Sequence, residues 1–417
     1  MSIRSRVSSF LSVLILLILV AGCNIDQEPV IDGMGVSKHL EKMLITDDER
    51  LIDKFMGAAI AAGGDGVPYI IKAWKKNTDV ESRCRLASVI EGVGPDAAEM
   101  VPYLLEELEA IDELRVSCAA MALGGIGPAA APAVERLGNL LRASDYSTQA
   151  SLLYALGGIG EASGSQVQLI KEAVERDQTS AIAIKALSRM GEAGVHAIEP
   201  WMEDESAQRR LWAAQVLSSM PPKDVSMVLD PLAKLLRDKD PRVRIQAAKA
   251  LGGAGSDSLP VYQNVVHALR DSDEEVREAV VQALIRIGPV GGKELINALT
   301  DKYWYSREGA ARVIGTFSSL AETAKSNLIT ALNDPNVNVR VAVINALTIL
   351  GPSITNDMIL QLRSNQLYRK FGGARVLGNI GPPARSALPD LQKLLQDRDA
   401  LVRKEAQDAI LKISGER

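Results

Sequence analysis

Aromatic residues make up only 4% of this 417-residue chain, and histidine and cysteine occur three times each. So few rings suit thin, closely packed helix layers, with Ala, Leu, Ile and Val filling the apolar positions. The three cysteines, Cys23, Cys84 and Cys118, form no CxxC pair and no zinc spacing. No Gly-x-Ser-x-Gly elbow occurs. The loop Ala162-Ser163-Gly164-Ser165 mixes the same residue types without the spacing or the strand-to-helix setting that an activated serine needs. A phosphate-cradling glycine loop is missing too, because glycines such as Gly124, Gly125 and Gly127 are expected to close helices rather than follow strands. Basic charge is not in excess: 47 Lys and Arg against 52 Asp and Glu give a net charge of −5. No nucleic-acid partner is expected of such a surface.

What the chain does have is one line of sequence repeated about eleven times. Val276-Arg277-Glu278-Ala279-Val280-Val281-Gln282-Ala283-Leu284-Ile285-Arg286-Ile287-Gly288-Pro289 returns with drift from about Asp79 to the C-terminus. Each copy ends on Gly94, Gly127, Gly160, Gly191, Pro221, Gly255, Gly288, Ser318, Gly351, Gly381 or Ser414, a period of roughly 30–34 residues that marks stacked helical repeats. Eleven positions before these closers stand Arg83, Arg210, Arg244, Arg277, Arg307, Arg340 and Arg403, with Lys370 in one copy and Val116, Gln149 and Ser180 in three others. Between the two marks run stripes such as Ala247, Ala250, Leu251 and Ala254, the spacing of a helix packed on one side. Upstream lies a second apolar run opened by proline, at Pro231 and at Pro389, as suits a first helical turn. Each repeat therefore reads as an antiparallel helix pair that must stack on its neighbours to bury its apolar faces.

The Asp-x-x-Val-Arg-x-x-Ala-x-x-Ala-Leu-x-x-Ile-Gly spacing, seen with substitutions over 240–255, 273–288 and 399–414, resembles the HEAT-repeat family, in particular its short armadillo-type subtype first described in phycobilisome lyases. The resemblance implies an all-α fold, a right-handed superhelical α-solenoid of about 11–12 stacked antiparallel helix pairs, and says little about activity. HEAT-type enzymes that bind iron use His-Glu pairs, whereas His39, His196 and His267 are followed here by Leu40, Ala197 and Ala268. No metal, no cofactor and no catalytic residue is expected. A phycobilin-lyase-like enzyme stays a remote alternative suggested by the subtype's name.

The N-terminus resembles a bacterial lipoprotein signal. Arg4 and Arg6 precede the apolar stretch Leu11 to Val20, which is shorter than the roughly 20 residues of a membrane span, and Val20-Ala21-Gly22-Cys23 offers a cleavage site. Residues 1–22 are expected to be removed and Cys23 to be lipidated, palmitate included, tying the chain to a membrane. Asn24, in place of an Asp, points to the outer membrane facing the periplasm. Residues 23–46, with Pro29, Gly33 and Gly35, read as a flexible tether. Residues 47–417 read as the solenoid, beginning with a degenerate cap repeat over about Asp47 to Asn77 that includes Met56, Ala59, Ile60 and Gly64.

Within the repeats, Asp79, Asp240, Asp273 and Asp399 each precede a slot Arg by four residues. Acids there cap helix N-termini, and Arg83, Arg244, Arg277, Arg340 and Arg403 are expected to form a structural ladder with Asp240, Asp273 and Asp399, each Arg reaching an acid of its own or the next repeat. Cys84 and Cys118 lie about one period apart; a disulfide fits an oxidising compartment, and their alanine-like slots favour two separate buried thiols. Trp74, Trp201 and Trp212 sit in helix stripes and belong to the core. Tyr303-Trp304-Tyr305 and Leu367-Tyr368-Arg369 replace polar turns. Trp304, Tyr305, Tyr368 and Arg369 are therefore candidate partner contacts, against the alternative that the rings fill gaps left by Gly309, Gly372 and Gly373. Acids outnumber bases by roughly ten to three over 79–115 and bases acids by roughly eleven to six over 361–417. Such charge is usually a solvated face, though it can also steer head-to-tail contacts.

The expected function is a membrane-anchored, non-catalytic scaffold for an unknown protein or extended peptide. The alternative from another class is a self-associating structural element of the cell envelope.

Overall fold

The computed structural model describes residues 28–176 and 178–415. The expected signal segment, Cys23 and Asn24 lie outside the described residues. Asp32 and Gly33 take positive φ, 49° and 74°, as a two-residue hairpin turn requires. They join Val30–Ile31 to Met34–Gly35 in an antiparallel pair. The helix Val36–Ile45 follows at once and buries Val36, His39, Leu40 and Met43. Those four positions have helical spacing, so residues 36–45, expected as tether, are tied into the stack by their own apolar stripe. This helix packs against Glu49–Ala61, which Asp48 caps and Gly63 follows at φ 55°. Gly63 stands one period before Gly94, and the repeats begin at Val36 rather than at Asp47.

The closing glycines behave as their spacing predicts. Gly94, Gly127, Gly160, Gly191, Gly255, Gly288, Gly351 and Gly381 all have φ between 55° and 104°, a region where an L side chain is strained. At the other end of the second helices, Asp79, Asp112, Asp145, Asp240, Asp273, Asn336 and Asp399 accept backbone N–H groups of the first turn. In these repeats sequence sets both ends of the helix: a capping Asp or Asn opens it and a positive-φ glycine follows it.

The chain divides into two compact units, residues 1–169 and 170–417. The described part of the first unit carries four helix pairs, from Val36–Ile45 with Glu49–Ala61 to Val134–Ala143 with Tyr146–Ile159. The second carries seven, from Gly191–Ile198 with Ala207–Ser218 to Leu388–Leu394 with Ala400–Ser414, and the chain divides within the pair Val167–Val174 and Ser180–Leu187. In each unit the core is a run of Leu, Val, Ile and Ala, among them Leu123, Leu156, Leu251, Leu284, Leu347 and Leu377, all fully buried. Glu113–Ala143 has the length and hydropathy of a membrane span, yet Val116, Ala119, Ala120, Leu123 and Ile126 within it are buried in the repeat core.

Second helices of successive repeats approach closely where glycine meets alanine. A Cβ on Gly252 would lie 2.7 Å from Ala283 Cα, one on Gly315 2.9 Å from Ala346 Cα, and one on Gly378 2.9 Å from Ala409 Cα. Gly124 and Gly125, expected to close a helix, lie inside Glu113–Ile126, and Gly127 closes it. Their role is the close approach: a Cβ on Gly125 would stand 2.6 Å from Glu91 Cα.

The same register decides the cysteines. Cys84 on Val80–Val93 and Cys118 on Glu113–Ile126 form a disulfide with their Cα atoms 5.2 Å apart. Separate buried thiols, the reading their alanine-like slots favour, are thereby overturned. Two stacked second helices place slots one residue out of phase within bridging distance.

Candidate functional site

The slot arginines do two jobs at once. Arg244 Nη1 donates to the carbonyls of Asp238 (2.8 Å) and Lys239 (3.3 Å), fastening the turn before its own helix, while Nε and Nη2 donate to Asp271 of the next repeat at 2.7 and 2.8 Å. Arg307 repeats the arrangement with Asp301 O, Lys302 O and the Asp334 carboxylate. Arg210 does so with Asp204 O, Glu205 O and Asp238, and Lys370 pairs with Asp397. Arg403, in the final helix, keeps the carbonyl bonds alone, to Asp397 and Arg398. In the first unit Arg83 pairs with Glu107 at 3.1 Å and lies 4.3 Å over the buried Trp74 ring.

The ladder acids are not those expected. Asp240, Asp273 and Asp399 cap their helices, and the partners of the slot cations are Asp238, Asp271, Asp334 and Asp397. The carboxylate two residues before the cap faces the preceding repeat, whereas the cap carboxylate turns inward onto its own helix. Burial pushes the Asp238 carboxyl up, but Arg210 and the Asp240 N–H outweigh it and hold it below the ordinary carboxylate range. Asp397 is lowered against burial in the same way by Lys370 and the Asp399 N–H.

Among the slot arginines of the second unit that are followed by another repeat, Arg277 and Arg340 lack the Asp partner, and both fall at the aromatic departures. Arg277 fastens its own turn through Asp271 O and Ser272 O, then lies 4.7 Å over the Tyr305 ring. The next acid, Asp301, is taken by Arg270. Arg340 lies 3.8 Å over Tyr368, where the ladder position of the following repeat is Ser364. Tyr305 and Tyr368 therefore replace carboxylates as stacking partners. The atoms nearest to a Cβ on Gly309, Gly372 or Gly373 belong to Leu269, Leu332 and Gln361 rather than to these rings.

The four candidate contacts do not form one site. Trp304 and Tyr305 border a groove of about 790 Å³ between the helices Glu274–Ile287 and Trp304–Ile314, floored by Leu269, Val281 and Gly309. Arg369 lines a different recess with Asp301, Arg307 and Asp334. Trp304 is 38% exposed and meets Tyr305 edge-on at 5.7 Å. The groove wall also carries Asp273, Glu274, Glu275, Glu278 and Glu308 against Arg277 and Arg312. Glu278 accepts from both Nη atoms of Arg312, at 2.8 and 3.2 Å. Burial raises the Glu308 carboxyl above its ordinary range, with Arg312 opposing and Glu278 adding to the rise. The sequence singled out Asp273 as a helix-capping acid but not Glu274, Glu275, Glu278 or Glu308, because each of these four sits in an ordinary helix position.

Among the described residues no group of three or more His, Cys, Asp or Glu side chains is placed to hold a metal ion. His39 is buried with its Nε2 2.9 Å from Ile31 O, His196 lies 4.0 Å from Glu192, and His267 contacts Arg270. Trp201 is buried against the half-buried Trp212, ring centroids 5.8 Å apart.

Stacked antiparallel helix pairs joined by an Arg–Asp interlock define an all-α solenoid of helical repeats. The family model described as HEAT repeats matches residues 195–285 and 292–368, and these stretches carry HEAT repeats. No curated protein sequence matches the chain. Among solved structures, an engineered protein is 20% identical at a TM-score of 0.33, covering 91% of this chain and 98% of that one. The karyopherin Kap121p bound to the extreme C-terminus of the phosphatase Cdc14p is 13% identical at a TM-score of 0.49, covering 91% of this chain. Kap95p, solved with RanGDP, is 12% identical at a TM-score of 0.48, covering 92% of this chain. The chain spans 49% of that Kap121p chain and 60% of that Kap95p chain.

Proposed function

We propose that this protein is an exported lipoprotein, anchored through lipid on Cys23, whose HEAT repeats hold another protein or an extended peptide without catalysing a reaction on it. The observation that carries the binding role is the groove beside Trp304. The Trp304 indole is more than one-third exposed at the mouth of the groove, and exposed aromatic side chains beside a groove are favoured anchors for a protein partner. Helical repeats suit such a role because their stacked faces form extended, preordered surfaces. Export is supported by the Cys84–Cys118 disulfide, a bond that persists in oxidising compartments. The Arg4 to Cys23 pattern supplies the address, and Asn24 favours the outer membrane facing the periplasm.

Two experiments test this reading. Labelled palmitate should be incorporated by the full chain and lost in Cys23→Ser, which should also leave the membrane fraction. The full chain should capture one dominant protein from membrane extract, and Trp304→Ala should lose it while Tyr368→Ala, which removes only a stacking partner, should keep it. Capture by both variants would remove Trp304 from the site, and recovery of nothing but the chain itself would favour a self-associating envelope element.

A further inference from the structure

Aromatic rings in this chain are repeatedly covered by the chain's own cations. Arg83 lies over Trp74, Lys171 over Trp201, Arg277 over Tyr305, Lys302 over Tyr303 and Arg340 over Tyr368, at 3.8–4.9 Å from the ring centroids. Trp304 differs. Among the described residues no cation lies over it, and its ring is exposed at the mouth of the groove. The groove wall carries five carboxylates and two guanidinium groups. Both guanidinium groups are engaged, Arg277 on Tyr305 and two carbonyls, Arg312 on Glu278 and Glu308. Exposed Glu274 and Glu275 stand in the first turn of Glu274–Ile287 on the same wall.

We propose that the occupant of this groove is a basic segment of a partner protein, with a lysine or arginine side chain seated on the Trp304 face and its charge met by Glu274 and Glu275. The inference rests on the scaffold reading and adds the chemistry of its partner. Three features agree on a cation. The indole is the best of the aromatic faces for one, the carboxylates are complementary to it, and the floor of Leu269, Val281 and Gly309 accommodates the aliphatic stem of a long side chain.

The test uses the purified full chain in detergent and fluorescein-labelled octapeptides of alternating Lys-Ser and Glu-Ser. The Lys-Ser peptide should bind by anisotropy, weakening as salt rises, and the Glu-Ser peptide should not. Trp304→Ala should weaken binding about fivefold, and Glu274→Gln with Glu275→Gln about tenfold. Glu192→Gln with Glu199→Gln, which removes the same charge elsewhere on the unit, should leave it unchanged. Equal loss in both glutamine pairs, no effect of Trp304→Ala, or no binding of Lys-Ser at low salt would overturn the inference. If the parent nevertheless captures a membrane protein in a Trp304-dependent way, the scaffold reading stands and the basic occupant falls; if nothing is captured, the scaffold reading fails separately.

Discussion

Replacing Arg244 by Ala removes both halves of one interlock. The Asp271 carboxylate loses two charge-assisted hydrogen bonds, at 2.7 and 2.8 Å, and keeps the Asp273 N–H at 2.9 Å. The Asp238 and Lys239 carbonyls lose Nη1. The side chains are only 12% and 10% exposed, so the change falls nearer to breaking a buried pair, about 3–5 kcal/mol, than to losing a surface pair, about 0–1 kcal/mol. The expected loss is about 2–4 kcal/mol. Arg403→Ala is the internal control, because that residue makes the same two carbonyl contacts in an exposed setting, and its loss should stay near 0.5 kcal/mol. Urea unfolding followed by circular dichroism gives the totals. Since stacked repeats can open piecewise, amide hydrogen exchange in Pro241–Ala254 and Glu274–Ile287 gives the local effect. In Arg244→Ala with Asp271→Ala, coupling of about 1–2 kcal/mol should appear. An Arg244→Ala loss no larger than that of Arg403→Ala, or a coupling near zero, would refute the idea that the interlock holds adjacent repeats together.

Neighbouring glycines should respond oppositely to alanine. Gly252→Ala should destabilise the chain by about 1–3 kcal/mol through contact with Ala283, while Gly253→Ala, with open space around it, should stabilise by about 0.5–1 kcal/mol; thermal melts check both. The Cys84–Cys118 bridge closes a loop of 34 residues, for which chain entropy predicts about 3–4 kcal/mol. Reductant should lower the melting temperature of the parent and leave Cys84→Ala with Cys118→Ala unaffected. Asp238, Asp301 and Asp397 are each lowered in the fold, with hydrogen bonds and cations outweighing burial. A folded value below the unfolded one gives stabilisation that is complete above roughly pH 4 and is lost as pH falls through the folded values. Melting temperature should therefore be flat from about pH 5 to 7 and drop below about pH 4, and less steeply in Asp238→Asn.

The repeat register was legible because its marks are backbone requirements. A glycine at Gly94 or Gly381 is demanded by positive φ, and Asp79 or Asp399 by unpaired amides, so both leave a trace in one copy as well as in eleven. The start at Val36 was hidden because Pro29, Gly33 and Gly35 read as linker, although Val36, His39, Leu40 and Met43 already had helical spacing and Gly63 the period. The ladder acid was misassigned for a different reason. Asp238 and Asp240, Asp271 and Asp273, and Asp397 and Asp399 occur as pairs, and only the stacking of the next repeat decides which of the two faces an arginine. The recurrence of an acid at Asp301 and Asp334, in copies where the cap position holds Tyr303 or Asn336, was the signal that could have separated them. The disulfide and the groove wall depend on how one repeat lies on the next, which a single helix stripe does not encode.

That dependence bears on where binding can arise in such an array. A consensus repeat has its Arg, its ladder Asp and its cap all engaged by neighbours, so its conserved-looking polar groups have little capacity left for a partner. Where the consensus fails, the freed positions must be satisfied otherwise. At Ser364 the ladder loses its acid and Tyr368 takes the arginine, a substitution that ends within the fold. At Asp301 the acid is present but held by Arg270, so Arg277 turns to Tyr305 and the ring cluster of Tyr303, Trp304 and Tyr305 enters the helix start. The first departure leaves no ring over an acidic groove; the second leaves Trp304 there. The two aromatic breaks that look alike in sequence thus separate into a structural repair at Tyr368 and a candidate recognition surface at Trp304, and it is the unsatisfied remainder after the interlock, not aromatic content, that distinguishes them.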